Sequence, residues 1–339
     1  MNRWLHYLRQ LLSGGESGRP CAAVFHRQSA AFQQAQLLVR FFYAANLFWA
    51  AIRLEERARW DVYEALHPLW PLFWADGADV NVLATYIFTF NTVVAFVAVM
   101  FPASGTARIL AFAGVLLAGA FENSFGRICH YGHAWVWVTL FFAFLPAGTP
   151  RQLATSRILR QRFLQMFWAA QFAILFFYSM AGWLKLVTVP VQLPRGEVCA
   201  VAPEALARHI ANCLLQTNPQ PLLETRPLPL LAEWLVNHVW IGWPLFLGAI
   251  YLEAFSVLIA FRPALHRWWG GGLILLHLGI GLGMDIWFVP AMFLLALLLV
   301  NSPFHREETP WRQLIWQLPG LDLLHYLWQR FRPIQSSGL

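Results

Sequence analysis

The chain has 339 residues, 58% of them hydrophobic and 12% charged, against about 25% charged in a soluble protein. With 18 Trp and 28 Phe, this composition excludes an ordinary soluble domain and predicts one polytopic membrane domain. The formal net charge of +7 reads as basic loops on one membrane face rather than a nucleic-acid footprint, and four cysteines without a CxxC spacing give no zinc or thioredoxin signal.

Residues 1–30 carry Arg3, Arg9, Arg19 and Arg27 and no long apolar core. They predict a cytoplasmic, partly amphipathic lead-in and no cleavable signal peptide. A transmembrane domain is expected over 31–305. Within it eight apolar segments fall near 33–54, 80–101, 107–122, 133–147, 164–189, 239–261, 267–284 and 286–302. Each approaches the roughly 20 residues that cross a bilayer as a helix, the fourth and eighth being short. Arg40 lies inside the first segment and is expected to face the bundle, against an acidic or carbonyl partner.

Every second connection is rich in arginine: the N-terminus, the turn at Arg108, the 148–163 loop, the turn flanked by Arg262 and Arg267, and the tail. The expectation is an all-α bundle of about eight transmembrane helices in a bacterial inner membrane, with both termini cytoplasmic. One large outer loop, 190–238, holds Cys199, Cys213 and a stretch from Pro203 to Leu215 that reads as a short amphipathic helix. An oxidising compartment leaves a Cys199–Cys213 disulfide open. The tail, 306–339, reads as two short amphipathic helices broken at Pro319-Gly320 and lying on the anionic leaflet.

Lys185 is the only lysine, near the end of the apolar run FFYSMAGWLKLVTVP. An ammonium at a helix centre costs about 2.5 to 3.5 kcal/mol on insertion scales. A lysine near a helix end escapes that cost by snorkelling to the interface. It can also escape by losing its proton, which arginine cannot do. In the expected topology Glu122, His130, His133, Lys185, His277 and Asp285 all fall in the outer half, with Trp183 beside the lysine. Glu253 falls in the cytoplasmic half. The asymmetry predicts an outward-facing polar cavity. Simpler roles stand beside it: His130 and His133 as interface residues, His277 as a core histidine, Glu122 and Asp285 as helix caps. The HYGH spacing puts two imidazoles on one helix face, but without a third ligand in register no metal is expected.

The segment AGWLKL resembles the Ala-Gly-x-x-Lys-Leu stretch of vitamin K-dependent gamma-glutamyl carboxylase and its bacterial relatives with the HTTM (horizontally transferred transmembrane) domain. HAWVWVTLFFAFLP and LLHLGIGLGMDIWFVPAMFLLALLLVNSPF resemble two further stretches of that family, each with a functional histidine. The resemblance covers roughly 33–305. It implies that Lys185 is the base that deprotonates a reduced, vitamin K hydroquinone-like quinone, with His133 and His277 also catalytic and Glu122, His130, Trp183 and Asp285 near the substrate. It further implies epoxidase or carboxylase chemistry. The expected partners are the lipid bilayer, a lipid-soluble small molecule and a candidate protein subunit, with no nucleic acid. Two positions depart from the family: Gly132 and Ile280 stand where it has asparagine. The family's large luminal domain has no counterpart here, so protein carboxylation is less expected than quinol chemistry. A non-catalytic membrane protein that binds or moves a lipid or quinone, or a partner subunit of a redox complex, is the alternative. In that case Lys185 pairs with an anionic head group.

Overall fold

The computed structural model describes residues 22–56, 66–125, 132–217, 229–305, 310–322 and 324. His130, Arg330 and Arg332 lie outside them. Among the described residues every regular element is helical. The principal helices are α1 (Ala22–Glu55), α2 (Val80–Met100), α3 (Gly105–Glu122), α4 (His133–Ala143), α5 (Arg157–Val187), α6 (Ala205–Thr217), α7 (Val239–Ile259), α8 (His266–Met284) and α9 (Val289–Leu295). A π-helical turn, Ala296–Val300, extends α9.

A helix lies over each of the eight apolar segments. Among the described residues, five helical stretches are long and apolar enough to cross a membrane: those holding α1, α2, α3, α5 and α7. Helices α4 and Val289–Val300 are apolar but shorter. At 1.5 Å per residue, α4 covers about 16 Å of a hydrocarbon layer about 30 Å thick.

Local chemistry sets several boundaries. Asp79 accepts the Val82 N–H at 2.9 Å and starts α2, and Ser104 accepts the Ala107 N–H at 3.3 Å and starts α3. Each satisfies an N–H that the helix leaves without an internal partner. Thr149 and Gln152 form a capping box on the short helix Pro150–Thr155, which leads into α5. Asp285, at φ 55°, ends α8 in the left-handed conformation.

Helix α5 is central. It packs along α7 and also against α4 and α1, while α2 lies between α1 and α3. The core around it is aromatic. Phe42 stacks on Trp135, with ring centroids 5.1 Å apart, and meets Phe142 edge-on. Several buried polar groups are paired across helices. Ser302 receives Gln171 Nε2 at 2.9 Å and bonds His266 Nδ1 at 2.8 Å. The serine of the Ser-Pro-Phe stretch thus ties α5 to both ends of the α8–α9 hairpin.

Some expectations change. Arg40 does not face the bundle: it is exposed, on a side of α1 turned away from the core. Among its described residues, the 190–238 segment carries the α-helices Val189–Gln192, Ala205–Thr217 and Ala232–Asn237 and the 3-10 turn Leu193–Arg195. It folds back on α7 and α8, with Ile210 buried against Ala232, Leu235 and Met284. Helix α6 lies where the amphipathic stretch was read. No disulfide joins Cys199 to Cys213. The first tail helix forms as Trp311–Ile315, and Gly320, at φ 87°, turns the chain after it. That turn is pinned to the end of α7. Arg262 pairs with Asp322 at 2.7 Å, and the Tyr251 hydroxyl donates to the Pro319 carbonyl at 2.8 Å.

Candidate functional site

Lys185 sits in the last turn of α5 and is not a solitary amine. Its Nζ makes a close ion pair with Glu253 Oε2 on α7. The lysine side chain is 33% exposed and the glutamate 10%. The contact corrects two expectations. Glu253 is not in the opposite half of the membrane from Lys185, and the amine is not held dry and alone. The reason is local. Gly182, one turn before Lys185, lies so close to α7 that a Cβ there would fall 2.4 Å from the Ala254 nitrogen. Only a residue without a side chain lets the helices meet at that level, and the approach brings Glu253 within reach of Lys185. Ser179 strengthens the seam: its Oγ accepts the Val257 N–H at 2.7 Å.

Lys185 lines a cavity of about 410 Å³ between the end of α5 and α6. Arg208, His209, Asn212, Glu197 and Phe246 share its wall. Partial burial, then the neighbouring Lys185 charge, push His209 below the ordinary histidine range. Its ring, open to solvent on one side, is therefore neutral at pH 7 and can both donate and accept. Lys185 and Arg208 are left as the cations of this wall, and Glu253 already neutralises the first.

Two turns deeper on α5, the Tyr178 hydroxyl makes a close hydrogen bond with His277 Nε2 on α8. Tyr178, Gly182 and Lys185 stand at i, i+4 and i+7 and form one stripe. Tyr178 is near enough to Glu253 to feel its charge. His277 is buried against Phe288, with ring centroids 4.9 Å apart. Its Nδ1 is buried without a hydrogen-bond partner, an exception to the rule that buried polar atoms are paired.

His133 and Glu122 belong to a different place. They line a second cavity, of about 260 Å³, with Arg53, Asn123, Trp70 and Trp137. The Arg53 Nε and Glu122 Oε1 atoms form an ion pair at 2.9 Å. Lys185 does not line this cavity, and His133 does not line the first. The expectation of one pocket shared by Lys185, His133 and His277 therefore resolves into two sites. Trp183 is exposed. Asp285 is exposed and accepts the Trp287 indole N–H at 3.0 Å, so it acts as a helix terminus and holds a ring in place.

Sequence reasoning passed over Glu253 as a partner and did not single out Tyr178, His209 or Arg208. One signal was available. Glu253 is the only charged residue in 239–261, and an acid in one apolar span with a lysine in another are expected to pair. No family model, curated relative or solved structure matches the chain.

Proposed function

We propose that the chain is an eight-span inner-membrane protein of the carboxylase-like HTTM type, with both termini cytoplasmic. We propose further that its Lys185–Glu253 pair takes a proton from a hydroxyl of a lipid-soluble, hydroquinone-like molecule. The observation that carries this reading is the close Lys185–Glu253 contact on the wall of a 410 Å³ cavity. An ammonium is not a base, but a carboxylate beside it can make it one. Within that contact, a proton passed from Nζ to the Glu253 carboxylate leaves a neutral amine beside a neutral acid. The amine can then accept a proton from a phenolic hydroxyl of similar intrinsic proton affinity. His209, neutral and exposed to the cavity, is a hydrogen-bond partner for the same oxygen. Tyr178 and His277 continue the polar contacts of α5 inward from the cavity wall.

The residues fit a reduced quinone in kind: amine, imidazole and amide groups beside Phe246. Gly182 and Lys185 of AGWLKL and Ser302 of Ser-Pro-Phe, in the stretches that carry the resemblance, each hold a helix contact. A vestibule for an anionic head group is the competing reading, and Arg208 favours it. Against it, the Lys185 charge is already taken by Glu253.

The experiment is turnover of a reduced naphthoquinone by the purified, reconstituted protein. Lys185→Ala, Lys185→Arg and Glu253→Gln should each lower it about 100-fold or more, within the range of general-base losses. Full activity in Lys185→Arg would show that position 185 supplies only a charge and would overturn its role as the base. Full activity in both lysine variants would end the general-base assignment.

A further inference from the structure

A groove between α1 and the turn joining α2 to α3 stands apart from both polar cavities. It encloses about 680 Å³, and its walls include Leu37, Phe41, Met100 and Phe101, with Arg40 as the one charged member. Those four apolar side chains are each more than half exposed. Arg40 is exposed as well. No hydrogen bond or ion pair is made by Arg40 among the described residues, and no carboxylate lines the groove.

A guanidinium cannot shed its charge. On an apolar helix it requires water or an anion. Arg40 is level with the 101–104 turn, which lines the same groove. That turn joins two helices long and apolar enough to span, so it lies at a membrane surface. Along α1, Phe41 and Ala44 follow Arg40 away from that surface, and Leu37 precedes it on the surface side. The arrangement is a cation at head-group height above an apolar slot.

We infer that this groove binds one anionic phospholipid of the adjacent leaflet, its phosphate on Arg40 and an acyl chain along Phe41 and Ala44. Phosphate suits the planar, multidentate guanidinium, and the slot supplies what a free phosphate ion has no use for. A second copy of this chain fits less well, because a two-fold contact through the groove sets Arg40 against its own symmetry mate.

The test offers phosphatidylglycerol and phosphatidylcholine in equal amounts to the full chain in neutral detergent and weighs the complexes by native mass spectrometry. The wild type should retain one phosphatidylglycerol with a preference of about fivefold, the worth of one basic contact at a membrane surface. Arg40→Gln should bring the two lipids to parity, and Arg40→Lys should keep most of the preference. Ala44→Trp fills the slot but leaves the charge, and should lower retention of both lipids. An undiminished preference in Arg40→Gln overturns the inference. So does a lipid-free dimer of the wild type, or full retention in Ala44→Trp.

Discussion

Ser302 illustrates how one hydroxyl can hold several buried groups. The His266 Nε2 atom faces the Ile259 carbonyl at 3.0 Å, so Nε2 carries the proton and donates. The other nitrogen, Nδ1, must then accept, and the Ser302 hydroxyl donates to it. The same oxygen accepts from Gln171 Nε2 and, at 3.3 Å, from the Phe304 N–H. Ser302→Ala leaves His266 Nδ1 buried and unbonded. It should destabilise the protein by about 2 kcal/mol, read as a lower midpoint of thermal unfolding in detergent, with the lipid preference of the Arg40 groove unchanged. Lys185 and Glu253 are the residue-scale counterpart at the site. Removing the lysine leaves a carboxylate with 10% side-chain exposure without its countercharge, so part of the loss in Lys185→Ala is structural. Lys185→Arg keeps the charge and separates that part from the chemistry.

At the scale of elements, the seam between α5 and α7 is decided by Gly182. A methyl group there would meet Ala254 N at 2.4 Å, Ala254 Cα at 2.7 Å and Glu253 C at 2.9 Å. All three are backbone atoms, which cannot swing aside as a side-chain tip can. Gly182→Ala should therefore push the helices apart and cost about 1 to 3 kcal/mol. It should also lower quinol turnover, although neither member of the ion pair is changed. A thermal-unfolding measurement beside the turnover assay checks both, and wild-type behaviour in the two together would mean that this contact does not position the pair. Helix α6 plays a second role at this scale. It packs on α7 and α8 and brings Arg208 and His209 over the end of α5, which turns an exposed helix terminus into a cavity wall.

For the whole molecule, the alternation of arginine-rich connections makes a topological prediction. Alkaline phosphatase fused after Thr217, in the expected outer segment, should be active. A fluorescent protein fused at Leu339 should fluoresce in the cytoplasm. Fusions reporting Thr217 and Leu339 on the same side would mean an even number of crossings between them, where the proposed topology has three. The arginine rule acts on connections near the membrane. Arg108, at one of these connections, is buried. Its Nη1 donates to the Pro102 carbonyl at 2.8 Å and its Nη2 to the Leu145 carbonyl. It thus fastens the α2–α3 turn to the end of α4.

Helix class, the positions of the helices, the amphipathic α6 and the prominence of Lys185 were all legible in the residues, because each follows from local hydrophobicity, spacing and charge. Which side chains meet was not. Glu253 and Lys185 are 68 positions apart, and sequence depth alone put them in opposite halves. Only the close approach at Gly182 set the two helices in register. The same reason separates His133 from Lys185: a histidine's place along its own helix says nothing about which neighbour that helix face is turned toward. Arg40 shows it again. Its burial depends on how α1 is rotated against α2, and that rotation is settled by packing around Phe42 and Tyr43, which are fully buried. Local pattern determined what each segment is, and helix-to-helix packing, a property of no single segment, decided where its chemistry points.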